Sequence, residues 1–196
     1  MKNLLSPRFS PRKSKLRQGQ STSRSIHNSE FRAQNFFRVG IGNDIHRLAP
    51  GRKLMLGGVR IPFEKGPLGH SDSDALAHAV CDALLGAAAL GDMGRHFPDT
   101  SPKWRGVSSL LFLRHTRKLL NEAGYEIVNV DATIGLERPK LAPHIPLMRA
   151  KVARALGLKP EQVSVKAKTG EGVDAVGHGD AIRADAIALL RSIATR

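Results

Sequence analysis

Asp44 and His46 occupy alternate positions in the run IGNDIHRL, just after a long polar preamble. An apolar run of this kind reads as a strand, in which residues i and i+2 project to one face. Both side chains then point together, which suits either one metal ion or one surface hydrogen bond. A third candidate ligand, His78, lies in the first turns of an apolar helix that begins in SDALAHAV, four residues after Asp74. Two imidazoles and a carboxylate with a fourth position open is the donor set of catalytic zinc. A histidine on an apolar helix face is more often a hydrogen-bonded core residue, and spacing alone leaves both readings open. The single cysteine, Cys81, excludes an internal disulfide framework and a cysteine-based zinc cluster, and fits a reducing compartment. Any metal here relies on histidine and carboxylate ligands.

Other segments carry chemistry-bearing residues at turns. His70 precedes the same helix in GHSDSD, eight residues before His78. Counted along a helix that is about 12 Å, too far to share one ion. A phosphate could dock at the free N–H groups of this helix start with Ser71 donating. Plain capping by Ser71, with Asp74 behind it, explains the same residues. The loop GDMGRHFPDTSP carries Asp92, Asp99, Thr100 and Ser101 without an evident structural need. The three prolines of ERPKLAPHIP stiffen a segment and leave its carbonyls unpaired, so its backbone could read a base edge with Lys140 near a phosphate. In KAKTGEG, a strand ends in Thr169 and Glu171, and a carboxylate there could hold a hard divalent ion bridging phosphates. Each of these segments is also readable as an ordinary turn.

The elements that must position these residues follow from pattern. FFRVGIGNDIH and KLMLGGVRI read as strands joined by APGR. SDALAHAVCDALLGAAAL reads as a helix capped by Ser71 or Asp72, with Gly91 just past its end. SSLLFLRHTRKLLNEAG is an amphipathic helix with Ser108 at its cap and Gly124 at its close. YEIVNVDATIGLE alternates as a strand, and PHIPLMRAKVARALG is a helix closed by Gly157. QVSVKAK is a strand, and DAIRADAIALLRSIA reads as a final helix. This order predicts an α+β fold: a mixed sheet covered on one face by helices.

The chain has 196 residues, enough for one domain with an appendage. Residues 1–36 are rich in Ser and Arg, poor in acids and without periodicity, and read as disordered. Their composition is like an organellar transit peptide; an overlong start or a solvated tail fits equally. Residues 1–38 hold nine Lys and Arg against the lone acid Glu30, so more than half of the net charge of +14 sits there. The body, 37–196, is only mildly basic, as expected of a protein that handles phosphates rather than nucleic acid. No apolar run reaches the roughly 18 residues needed to span a bilayer.

Taken together, GNDIHRL, LGGVRIPFEKGPLGHSDSDALAHAVCDALLGAAALGDMGRHFPDT, ERPKLAPHIPLMR and VSVKAKTGEG resemble, in order and spacing, the 2-C-methyl-D-erythritol 2,4-cyclodiphosphate synthases of the non-mevalonate isoprenoid pathway. The resemblance runs from about Arg38 to Thr195. It implies cyclisation of 4-diphosphocytidyl-2-C-methyl-D-erythritol 2-phosphate with loss of CMP. It implies zinc on Asp44, His46 and His78, and magnesium or manganese on Glu171 bridging the substrate diphosphate. His70 and Thr169 match transition-state stabilisers, with Ser71 beside His70 and Ile45 between the strand ligands. Asp92, Met93 and Gly94 match a loop that meets the ribose and erythritol parts, and Phe97, Pro98, Asp99, Thr100 and Ser101 a loop that closes over the substrate. Pro139, Lys140, Leu141 and Ala142 match the cytidine pocket. Lys168, Gly170, Ala175 and His178 complete the substrate contacts.

The resemblance further implies a homotrimer, its sheets facing a central axis and each active site between two subunits. A bacterial cytoplasm is the expected setting, or a plastid if the extension is a transit peptide. Neither membrane nor nucleic acid is expected as a partner. This chain also departs from the family pattern. Ser73 replaces a glycine, a change expected to be tolerated because serine caps helices well. Lys168 and Gly170 replace threonines, and His178 stands where arginine is common, turning a permanent charge into a titratable one. Two rivals remain: a zinc phosphoesterase in which water attacks, and a binding module whose basic tail grips nucleic acid.

Overall fold

The computed structural model describes residues 36–193. Strand β1 (Phe37–Pro50) is followed by three short strands, β2 (Leu54–Leu56), β3 (Val59–Ile61) and β4 (Lys65–Pro67). Then come α1 (Ala75–Ala87), α2 (Met93–His96), α3 (Leu110–Glu122), β5 (Tyr125–Gly135), α4 (Ile145–Leu156), β6 (Val163–Lys168), α5 (Asp174–Gly177) and β7 (Ala181–Ser192). Five strands form one sheet in the order β4-β1-β7-β5-β6. All pairs are antiparallel except β5 with β6, so the sheet is mixed as predicted. Helix α1 lies across β1 and β7, α3 packs on α1 and β5, and α4 packs on α3 and β6. Among the described residues, no helix is long and apolar enough to cross a membrane.

The last element overturns the sequence reading. DAIRADAIALLRSIA is a strand, β7, paired with β1 on one side and β5 on the other. Its alanines favour helix in isolation, but tertiary pairing outweighs that preference. The true signal is a period of two: Ile182, Ala184, Ala186, Ala188 and Leu190 are buried, whereas Arg183, Ile187 and Arg191 are exposed. KLMLGGVRI also divides, into the hairpin strands β2 and β3 with Leu56 opposite Val59 across Gly57 and Gly58. Strand β4 is too short to carry a pattern. Of the basic extension, residues 1–35 lie outside the described residues. Phe36 belongs to the fold: its carbonyl accepts from the Ser192 amide at 2.9 Å.

Helix α1 starts later than expected. Its N-cap is Asp74, not Ser71 or Asp72, and the buried carboxylate accepts the Ala77 amide at 3.1 Å. The same carboxylate accepts the amides of Gly57 and Gly58 at 2.8 and 2.6 Å, tying the β2–β3 turn to the helix start. Burial and the nearby Asp72 push this carboxyl above its ordinary range, while the three N–H groups pull it back. The α3 N-cap is Ser109, one residue past the expected Ser108, and its side chain makes no capping bond. Gly124 and Gly157 close α3 and α4 with positive φ as expected.

The opposite face of the sheet carries Val39, Ile41 and Ile45 from β1 and Ile187 from β7, all at least half exposed. The face toward the helices explains how α1 comes so close to β1. A Cβ on Gly40 would collide with the backbone of Ala83 and Ala87, and one on Gly42 with the backbone of Ala79 and Ala83. Alanines recurring every four residues on α1 thus meet glycines recurring every two on β1. Gly42→Ala is expected to destabilise the protein by about 3 kcal/mol, since overpacking against backbone has no rotamer to relieve it. A urea titration checks this, and an unchanged midpoint would refute the contact.

Candidate functional site

Asp44 and His46 continue the same face of β1 two and four residues beyond Gly42, so the close approach of α1 sets His78 directly over them. The Asp44 carboxylate oxygen Oδ2 lies 2.9 Å from His46 Nε2 and 2.9 Å from His78 Nδ1. One ligand atom from each of the three lies within 4.8 Å of the others. The imidazoles meet edge to face, their ring centres 5.7 Å apart. Burial alone would raise the Asp44 carboxyl, but the two imidazoles outweigh it and hold the group well below the usual carboxylate range. On His78, burial acts to lower the pKa, and the hydrogen bond and charge of Asp44, helped by Asp74 and Asp72, raise it. The arrangement calls for positive charge, supplied by a proton or by a metal ion.

One atom decides how well a metal fits. His46 Nε2 is buried and, despite its nearness to Asp44, has no hydrogen bond. Buried polar nitrogens are rarely left so, and an ion between the three side chains satisfies it. Two nitrogens and a carboxylate oxygen also match the donor preference of zinc.

The triad opens into a cleft of about 220 Å³ lined by His46, His70, Ser71, His78, Met93, Phe97 and Asp99. The 12 Å spacing expected for His70 assumed a continuous helix. Residues before Asp74 are loop, and that loop turns back so that His70 lines the same cleft as His46 and His78. A phosphate at the α1 N-terminus is not supported, because Asp74 already fills that position. Phe97 is buried and stacks on Phe112 with ring centres 4.8 Å apart and against Trp104 at 5.3 Å. It anchors the segment of Pro98, Asp99, Thr100 and Ser101, of which Asp99 lines the cleft. Asp92, expected to have no structural task, caps α2 by accepting the Arg95 amide at 3.0 Å. Met93 is held by its amide, which donates to Asp82 at 2.8 Å, and Gly94 is exposed beside it. The Ile45 side chain points to the far face of the sheet, leaving only its backbone on the cleft side. A larger cavity, about 470 Å³, lies behind the HSDSD loop between Arg52, Lys53 and Ser108. It shares Ser71 with the cleft but does not include the triad.

The remaining candidates form a second group. Thr169 and Glu171 follow β6, three strands from β1, a lateral offset of about 14 Å. The Thr169 hydroxyl donates to the Glu171 carboxylate at 2.5 Å, and both residues are exposed. Gly170 between them donates its amide to Glu137 at 3.0 Å, and a Cβ on it would collide with the Gly177 backbone. Lys168 and Ala175 are exposed nearby. His178 lines a pocket of about 220 Å³ with Lys65, Glu137 and Arg138. Pro139, Lys140 and Ala142 are accessible, whereas Leu141 is a core side chain and offers only backbone. One chain therefore brings together the triad, His70, Ser71 and the rim loop, but not Thr169, Glu171 or the proline-rich segment.

A family model described as the YgbB family matches residues 37–191. The chain belongs to the YgbB family. A protein named 2-C-methyl-D-erythritol 2,4-cyclodiphosphate synthase from Nitrosospira multiformis is 55% identical over 79% of this chain and 87% of its own length. One of the same name from Alkaliphilus metalliredigens is 58% identical over 76% of this chain and 94% of its own. A solved structure of 2C-methyl-D-erythritol-2,4-cyclodiphosphate synthase in a CDP-bound form is 41% identical over 78% of this chain and 99% of its own, with a TM-score of 0.73. The YgbB match spans both residue groups.

Ser73 needs a different account from the one its sequence position suggested. It is not the cap. Its φ is +53°, a left-handed conformation, and its buried hydroxyl oxygen has no hydrogen-bond partner. Left-handed backbone costs a non-glycine residue about 1–2 kcal/mol. Ser73→Gly is therefore expected to stabilise this YgbB protein by about 1 kcal/mol, read as a raised melting temperature in calorimetry.

Proposed function

We propose that this chain converts 4-diphosphocytidyl-2-C-methyl-D-erythritol 2-phosphate into 2-C-methyl-D-erythritol 2,4-cyclodiphosphate with release of CMP, in isoprenoid precursor biosynthesis by the non-mevalonate pathway. The observation that carries this reading is the half-buried Asp44–His46–His78 cluster, whose two histidines line a cleft, in a chain 55% identical to a synthase of that name. An oxygen of the 2-phosphate attacks the β-phosphorus. The bond from that phosphorus to the oxygen bridging the α-phosphate breaks, and CMP leaves with that oxygen.

Such a transfer asks a protein to align the two oxygens and to neutralise charge. Zinc on Asp44, His46 and His78 would polarise the phosphate under attack, and magnesium or manganese on Glu171 would offset charge on the diphosphate. His70 and Ser71 project into the cleft and donate to phosphate oxygens. Phe97 fixes the base of the rim loop, so that Asp99, Thr100 and Ser101 close over the substrate and exclude water. Thr169 supplies a hydroxyl to the phosphates, and its bond to Glu171 holds the two side chains in one place. The segment Pro139–Ala142 reads cytosine with backbone groups, as the core position of Leu141 requires.

The two residue groups are joined by assembly. Three copies meet through the apolar sheet face of Val39, Ile41, Ile45 and Ile187, and the Thr169–Glu171 group of one copy completes the cleft of the next. A cytoplasmic setting belongs to the same proposal.

Phosphorus NMR of the reaction with zinc and magnesium is expected to show CMP and a cyclic diphosphate in equal amounts. CMP without the cyclic product would make water the nucleophile and the protein a hydrolase. His46→Ala and Asp44→Ala are expected to lose bound zinc and to reduce kcat/KM by about a thousandfold, the equivalent of several kcal/mol. Elemental analysis and turnover check both, and full zinc content in either variant would sink the ligand assignment. Ile41→Asp is expected to yield folded single chains without turnover, with light scattering giving the mass; an active single chain would refute the shared site.

A further inference from the structure

Only one nitrogen of the His78 ring faces the triad. Nδ1 lies 2.9 Å from Asp44, and Nε2 points away, 2.9 Å from Ser109 Oγ and 3.2 Å from Ser71 Oγ. Ser109 is fully buried, and both of its polar hydrogens go to Asp72. Its amide donates to Asp72 Oδ2 at 3.0 Å, and its hydroxyl donates to Oδ1 in a shorter bond. A hydroxyl has a single hydrogen, and an ionised carboxylate only accepts. With that hydrogen given to Asp72, Ser109 Oγ can meet His78 only as an acceptor. Nε2 must therefore carry a hydrogen, so the hydrogen that Nδ1 shares with Asp44 is the one a metal ion displaces.

The surroundings hold this direction. The Asp72 amide donates to the Val107 carbonyl at 3.2 Å, and the Gly106 amide to the His70 carbonyl at 2.9 Å, so the HSDSD loop is stitched to the segment entering α3. Ser71 Oγ accepts the Ser73 amide at 3.1 Å and lies 3.4 Å from Ser109 Oγ, placed to donate into the same path toward Asp72. A histidine binds a metal only through a nitrogen that carries no hydrogen, and the bond made by the other nitrogen decides which one that is.

We infer that Asp72 and Ser109 are positioning residues of the metal centre: Asp72 orients the Ser109 hydroxyl, and that hydroxyl fixes the His78 tautomer that presents Nδ1 to the ion. The inference rests on the metal-centre reading and deepens it. It also explains why Ser109 stands at the start of α3 without capping it.

Asp72→Asn gives the sharpest test because it barely changes shape. The Ser109 amide cannot reverse, so the new side-chain oxygen takes it and the new NH₂ group faces Ser109 Oγ. The hydroxyl then turns to donate to His78 Nε2, and the ring hydrogen moves to Nδ1. Ring-nitrogen NMR of full-length, chelator-stripped protein should show a hydrogen on His78 Nε2 in the wild type and none on Nε2 in Asp72→Asn. Competition of zinc against a chromophoric chelator should show affinity lowered about 10- to 100-fold in Asp72→Asn and in Ser109→Ala. A wild-type Nε2 that carries no hydrogen, or variants that bind zinc as tightly as the wild type, would overturn the inference alone. A wild type that takes up no zinc would overturn the metal-centre reading together with it.

Discussion

Helix α1 and strand β1 touch backbone to backbone, with no side chain between them at Gly40 and Gly42. The remaining architecture follows from that contact. It puts an alanine-lined helix deep enough on the sheet for His78 to reach Asp44 and His46, which side chains standing at Gly40 and Gly42 would hold apart. The Asp74 carboxylate then fixes the helix start by gathering N–H groups from the helix and from the β2–β3 turn. The HSDSD loop, left outside the helix by that late start, is free to fold over the cleft with His70 and Ser71.

The chemistry was more legible in the sequence than the scaffold. Asp44 and His46 announce themselves because a period of two and two ligand types coincide, and His78 adds the third donor. The strand β7 hid because Ile182, Ala184, Ala186, Ala188 and Leu190 bury one face while Ile187 keeps the other partly apolar, and alanine propensity then favours the wrong element. The cap was misplaced because Ser71, Asp72 and Asp74 are all good caps by type. Only the depth at which α1 is buried selects Asp74. Ser73 looked benign because a left-handed φ leaves no mark in a sequence. Ser109 carried the least signal of all. A serine before a helix reads as a cap, and nothing local says that its hydroxyl is already taken by a histidine and an aspartate elsewhere in the chain.

The division of the candidate residues into two groups has the same physical origin. A five-stranded sheet is wide, and residues at the ends of β1 and β6 cannot meet across it. The sheet also has one face covered by helices and one bearing exposed isoleucines and valine. A chain that joined both groups by itself would need the sheet to curl, whereas the assembly proposed above would join them without deforming any strand.

Strand β1 serves two masters by parity. Gly40, Gly42, Asp44 and His46 fall on even positions and face the helix; Val39, Ile41 and Ile45 fall on odd positions and face away. Its long pairing with β7, from Phe37 opposite Arg191 to Arg47 opposite Ala181, holds that parity along the whole strand. Substitutions can be tolerated or rejected one side at a time. An inserted or deleted residue cannot, because it would turn glycines, the Asp44–His46 pair and isoleucines over together. In this stretch the chain can drift in composition but not in length.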